Sequence, residues 1–231
     1  MKRRNFVKTA GGILALGPAS SLAASIGPSI GNVHVKPDGA SQPSTIRVKD
    51  DHIVIESSTL SAVIRNGFLV TLKSKATGEN YIGSFDDTRY SALDIIYPGP
   101  ESVEFSEKNF RSITLKQVSD QRAEIIFHSW HGDGVVAVYA DDSTGDLIVE
   151  PSAYSSRPGV LACRWNMPGI RTDLKIVAPF FQGVSLNLDD PLIRDFRWPW
   201  PMYWEAALVI LQSSKGGFYV HTQDTRYRYK A

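Results

Sequence analysis

The sequence predicts an all-β protein, a large antiparallel two-sheet β-sandwich, and three observations carry that expectation. From about residue 46 onward, apolar residues recur with a period of two rather than 3.6. Turn residues bound most of the resulting runs, as at Asn66-Gly67, Thr77-Gly78, Thr144-Gly145 and Gly216-Gly217. No amphipathic window reaches the length of an ordinary helix.

Taken in order, the runs are short and rich in β-branched residues. They are HIVIE (52–56), LSAVIR (60–65), FLVTLK (68–73), SITLKQV (112–118), AEIIFHS (123–129) and VVAVYA (135–140). DLIVEP (146–151), VLACRW (160–165), LKIVA (174–178), AALVIL (206–211) and GFYVHT (217–222) follow. Asn66-Gly67, between Arg65 and Phe68, is the strongest hairpin signal, because both central positions of a type I′ turn need positive φ. ADDSTGD (140–146) resembles a calcium loop but lacks a carboxylate at the twelfth loop position, so a hairpin turn is expected there. A single large sandwich over 46–231 accounts for the runs better than two small units, and no internal repeat is visible.

The N-terminus is organised differently. Arg3-Arg4 precede Asn5, Phe6 and Lys8, an apolar stretch runs from Ala10 to Leu16, and small residues reach Ala23 and Ala24. Twin arginines, a weak apolar region and a small-residue cleavage site read as a twin-arginine export signal over 1–24, against a plain basic terminus on a cytosolic chain. The stretch is too short to span a membrane, which takes about 20 apolar residues. Residues 25–45 read as a flexible linker rich in Pro, Gly and Ser. The expected location is therefore periplasmic or secreted, with no membrane attachment after signal cleavage. A net charge of +1 and the lack of a basic block beyond the leader give no reason to expect a nucleic-acid partner.

The chemistry-bearing residues do not assemble into a known apparatus. The single cysteine, Cys163, sits in alternating apolar sequence and reads as a buried structural thiol rather than a nucleophile. His128 and His131 are three apart, on opposite faces of a strand, although a turn at Gly132 would bring His131 and Asp133 to a loop tip. Asp86-Asp87, Asp141-Asp142 and Asp189-Asp190 read as solvated turns. There is no His-Glu-x-x-His, no Gly-x-Ser-x-Gly and no phosphate-cradling loop. Catalytic residues: none; metal: none; cofactor: none.

One segment stands out. FRWPWPMYW (196–204) holds three of the five tryptophans within seven positions. Flat rings of this kind cover the C–H faces of pyranoses. Trp198, Trp200, Tyr203 and Trp204, with His131 and Asp224, are thus the carbohydrate-contact candidates. Pro199 and Pro201 cannot donate ladder hydrogen bonds, so the segment reads as an extended crossing or edge. Phe196, Trp198 and Trp200 would then share one side, which suits a seam between domains ahead of a sugar platform.

Two stretches resemble a known family. LSAVIRNGFLVTLKSKATGENYI, with Leu72, Lys75, Thr77, Gly78 and Tyr81, resembles the opening of the galactose-mutarotase-like supersandwich that precedes the catalytic barrel in many secreted glycoside hydrolases. Trp198-Pro199, Gly216-Gly217, Tyr219, Asp224 and Lys230 resemble the end of that sandwich in uncharacterised hydrolases related to endo-α-N-acetylgalactosaminidases. The resemblance brackets residues 52–230. It implies an exported carbohydrate-associated sandwich, the non-catalytic N-terminal part of a glycoside hydrolase, with acid and nucleophile on a (β/α)8 barrel that would begin after Ala231. That catalytic barrel would be a partner in cis or in trans, and carbohydrate the ligand. Two alternatives stay open: a stand-alone sugar epimerase or mutarotase-like enzyme using His131 or His221, or a lyase; and an interaction module docking a partner barrel.

Overall fold

A computed structural model describes residues 7–8, 11–16, 43–97, 112–130, 132–156, 158–179, 183–194 and 206–222. Among the described residues, sixteen strands in antiparallel sheets bear out the all-β expectation. They are β1 (Val7–Lys8), β2 (Gly11–Leu16), β3 (Thr45–Val48), β4 (His52–Glu56), β5 (Leu60–Arg65), β6 (Phe68–Ser74), β7 (Leu93–Ile96) and β8 (Ser112–Ser119). The series continues with β9 (Arg122–Trp130), β10 (Gly132–Ala140), β11 (Leu147–Ser155), β12 (Ala162–Trp165), β13 (Lys175–Ala178), β14 (Val184–Asn187), β15 (Leu208–Gln212) and β16 (Gly217–Thr222). Helix is confined to short turns at Asp87–Arg89 and Pro191–Arg194 among the described residues.

The large sheet runs β14-β13-β15-β16-β2-β11-β10-β9-β8, with β1 also paired to β11. A four-stranded meander, β3-β4-β5-β6, forms the second layer. The expected two-sheet sandwich gains a small third sheet, the β7-β12 pair. All three sheets share one core. Ile53, Ile55, Leu60, Ala62 and Ile64 enter it from the meander, Leu93, Ile95 and Cys163 from the small pair, and Ile125, Phe127, Val136, Leu147 and Phe218 from the large sheet. Alternation puts these residues on inner faces, and their burial against one another is what holds the layers together.

Local chemistry sets the turns. At Asn66-Gly67, φ is +51° and +80°, as a type I′ connection requires. The turn also anchors the small sheet, since Trp165 Nε1 donates to the Gly67 carbonyl at 2.7 Å. The 140–146 segment closes as the hairpin turn expected of it: Asp141 N–H donates to the Asp146 carbonyl at 2.9 Å, and Ser143 N–H to Asp141 Oδ1 at 2.8 Å. Ser57 and Thr59 hydroxyls both reach the Gly145 carbonyl at 2.7 Å, tying that turn to the meander. Beside that turn Ile46 N–H donates to the Asp120 carbonyl, and Gln117 Nε2 to the Ile46 carbonyl at 2.8 Å.

Strand β3 begins at Thr45, the last residue of the expected linker. Residues 7–8 and 11–16, which the sequence marks as part of a leader, are strands of the large sheet. Their register along β11 is continuous, from Val7↔Ala153 and Lys8↔Ser152 to Gly11↔Val149 and Ile13↔Leu147.

Candidate functional site

The sequence-predicted contact residues Trp198, Trp200, Tyr203, Trp204, His131 and Asp224 all lie outside the described residues. Of the other candidates, His128 sits on β9, where its Nε2 meets Thr114 Oγ1 of β8 at 2.8 Å. That contact near the end of the large sheet gives His128 a structural partner. Cys163 is buried, and burial pushes its thiol up to about 12, with the charge of Asp94 adding to the effect. A thiol so far from ionisation is a packing residue, as its sequence context implied.

The expected solvated turns are turns. Asp86 accepts from Thr88 N–H at 3.1 Å and caps the short helical turn that follows. Asp142 accepts from the Ser44 N–H at 2.7 Å, a bond that holds its carboxyl below the usual range. Neither is positioned as a catalytic acid.

Two polar groups at the core boundary remain. The first is Asp94 of β7, whose side chain is 3% exposed. Its Oδ2 accepts from Arg164 Nη2 at 2.6 Å and Nε at 3.1 Å, and from Asn166 Nδ2 at 2.8 Å. Asn166 also donates to the Ser91 carbonyl, so this network stitches β7 to β12 and the chain that follows. Arg164 faces Asp94 directly in the antiparallel register, which is why the pair forms.

The second group lies on the outer face of the large sheet, where β11, β2 and β16 run side by side. Asp146, just before β11, is buried, and its Oδ1 has no hydrogen-bond partner among the described residues. The Tyr219 hydroxyl points at Asp146 Oδ2 from 3.4 Å, reaching across the strand between them. Burial raises the Asp146 carboxyl above its ordinary value, opposed by bonding to Thr144 and Tyr219 and by the charge of His221. Burial and the neighbouring Asp146 likewise raise Tyr219. His221, two residues along β16, lies on the same face and is exposed.

Sequence reading missed Asp146 as a site residue because Thr-Gly-Asp reads as a turn. Its hydrogen-bond partner Tyr219 lies 73 positions away. Tyr219 did carry a signal, as part of the stretch resembling the end of a supersandwich.

Chemically, this group offers one buried carboxyl whose pKa is raised by burial, beside a phenol. Glycoside hydrolysis of the common kind takes two carboxyls about 5–9.5 Å apart. Asp141, whose charge is felt at Asp146, has Oδ1 already committed to Ser143. Among the described residues, no group of three His, Cys, Asp or Glu is placed to hold a metal ion. In comparisons with models of protein families and with curated proteins, no match to this sequence was found.

Proposed function

We propose that this chain is an exported, carbohydrate-associated β-sandwich, the non-catalytic N-terminal part of a glycoside hydrolase-type protein. Its acid and nucleophile would come from a (β/α)8 barrel, joined in cis or docked in trans. The observation that supports this reading best is that the two stretches of resemblance meet in space. Tyr81 and Phe218 stack with ring centroids 5.2 Å apart, and Ser213 Oγ donates to Glu79 Oε2 at 2.7 Å. Segments more than 130 positions apart in sequence thus pack as the opening and closing parts of one sandwich.

The aromatic segment 196–204 is then the seam or rim that faces the barrel and its substrate cleft. The test is direct. The purified chain should leave aryl glycosides intact and bind glycans weakly at most. Trp198→Ala and Trp200→Ala should weaken whatever glycan or barrel binding is measured without unfolding the sandwich. Turnover of any glycoside by this chain alone, lost on Asp146→Asn or on replacing another carboxylate, would sink the proposal.

A second reading, a stand-alone epimerase, is favoured by one feature: an acid, a phenol and His221 on one face. It predicts anomer interconversion detectable by proton NMR and abolished by His221→Ala. Absence of any catalysed interconversion removes it.

A further inference from the structure

Strand β3 lies at one edge of the meander, and the amides on its outward side are all engaged. Lys49 N–H donates to the His52 carbonyl across the β3-β4 hairpin at 2.8 Å, so the odd-numbered amides point at β4 and the even-numbered ones point away. From Ser44 to Val48, each amide that points away has an acceptor. Ser44 N–H donates to Asp142 Oδ1 at 2.7 Å, Ile46 N–H to the Asp120 carbonyl at 2.6 Å, and Val48 N–H to Gln117 Oε1 at 2.7 Å. Gln117 Nε2 in turn donates to the Ile46 carbonyl at 2.8 Å.

Gln117 meets this edge as a peptide group would. Val48 N–H can only donate and the Ile46 carbonyl can only accept, so one carboxamide supplies both groups that a neighbouring strand would offer. Its placement comes from β8. Gln117 follows Ile113 and Leu115 on the face that packs toward the core, opposite fully buried Ala123. The register then shifts before Ser119, and this bulge turns the chain so that the Asp120 carbonyl reaches Ile46. Gln117 Nε2 also donates to the Ser119 carbonyl, and Gln121 Nε2 to Asp142 Oδ2, which links the capping groups to one another.

The far edge of the meander is closed in the same manner. Leu72 N–H of β6 donates to Asn80 Oδ1 at 3.0 Å, its carbonyl accepts from Tyr81 N–H at 2.9 Å, and Ser74 N–H donates to the Glu79 carbonyl at 2.9 Å. Asn80 Nδ2 donates onward to the Ile82 carbonyl at 2.8 Å, which fixes the carboxamide. A sheet edge is a template for another chain's strand. Both edges of this sheet carry a side-chain carboxamide where that strand's peptide would sit.

We propose that Gln117 guards the β3 edge against strand addition, and that the partner it excludes is β3 of a second copy, paired antiparallel. TIRV suits that pairing, being short and β-branched, and two copies related by a two-fold axis offer each other the same donors and acceptors. Gln117 is exposed, so its loss opens the edge without leaving a cavity in the core. The caps that remain, Asp120 and Asp142, come from exposed turns.

The test compares Gln117→Ala, Gln117→Glu and the double variant Gln117→Ala with Val48→Pro, each in the full chain. Sedimentation velocity is run over a concentration series, and amide exchange is read residue by residue by NMR. In dilute Gln117→Ala the Val48 amide should exchange at least about tenfold faster than in wild type. As concentration rises, the variant should shift toward a dimer and the Val48 amide should slow again. Gln117→Glu loses the bond to the Ile46 carbonyl but sets a charge on the edge, and should sediment as wild type. Val48→Pro removes only an outward N–H, not a bond to β4, and should return the double variant to wild-type sedimentation. Gln117→Ala that sediments as wild type at every concentration, or a Val48 amide unchanged in it, would overturn the proposal. So would a dimer that survives Val48→Pro, or Gln117→Glu dimerising as far as Gln117→Ala.

Discussion

Gly67 and Gly78 adopt the same left-handed backbone region in different surroundings, so replacing each by alanine separates backbone strain from packing. Gly67 has φ +80°, and a Cβ there would lie 2.8 Å from Ala92 Cβ and 2.9 Å from Phe127 Cζ. Gly78 has φ +72° and nothing within 4 Å of an added Cβ. The left-handed penalty for an L-residue is about 1 kcal/mol at each site. Only Gly67→Ala adds an overpacking cost, about 2 kcal/mol, because Ala92 and Phe127 are themselves fully buried and cannot move aside freely. Shifting the turn to relieve the clash would lengthen the Trp165–Gly67 hydrogen bond, so relaxation is not free either. The expected losses are therefore about 3 kcal/mol for Gly67→Ala and about 1 kcal/mol for Gly78→Ala. Equilibrium urea unfolding measures both, with a midpoint difference between the variants of about 1 M if the slope is about 2 kcal/mol/M. Equal losses would refute the placement of the 66–67 hairpin against Phe127.

Other outcomes follow from the polar groups and the thiol. Arg164→Ala should cost about 2–3 kcal/mol in urea unfolding, since it strips two of the three donors from buried Asp94 while Asn166 remains. Joint replacement by Asp94→Leu and Arg164→Met should cost less than the single change, which a double-mutant comparison tests. Asp146 binds its proton more tightly when folded than when unfolded, so its contribution favours the folded state at low pH. That contribution is lost as pH rises from the ordinary carboxylate value through the raised folded one. Wild type should accordingly lose stability relative to Asp146→Asn across that window, and a relative gain would contradict the burial of the carboxyl. Cys163 should resist a thiol-specific reagent at pH 8 in the native protein and react at once on unfolding.

Much of the sheet architecture was legible because one face of most strands is buried and the other is not. Strands β4, β5 and β16 have the bounds their alternation predicts, since Ile53/Ile55 and Leu60/Ala62/Ile64 mark the inner face without interruption. Strand β7 escaped because Leu93, Asp94 and Ile95 are all buried, which erases period two and places a carboxylate mid-strand. Strands β3 and β14, TIRV and VSLN, each hold only two apolar residues, too few for a periodic signal. Strand β2 shows a deeper ambiguity. GGILAL is short, apolar and small, and a leader's apolar region and a strand in a sheet interior have that same composition. Nothing in the six residues themselves separates the two roles. The candidate site was legible only in part, because Asp146 becomes a buried acid through contacts that sequence order hides.

Among the described residues that carry the resemblance, Leu72, Lys75 and Tyr81 are explained by folding, and that limits what they can say about activity. Lys75 Nζ donates to the Ser57 carbonyl at 2.6 Å and pairs with Glu56 at 2.8 Å, closing the corner between β4 and β6. Leu72 and Tyr81 are fully buried, and Tyr81 carries the contact to Phe218 that joins the meander to the large sheet. The Tyr81 hydroxyl is buried without a partner among the described residues, which corresponds to a cost of about 1–3 kcal/mol of desolvation. None of these side chains needs a sugar to account for it. A motif made of fold-holding residues transfers architecture and leaves chemistry to the loops and seams it positions. By that reasoning a Tyr81→Phe variant should be at least as stable as wild type and unchanged in glycan binding. A change in binding would mean that the buried hydroxyl reaches a ligand after all.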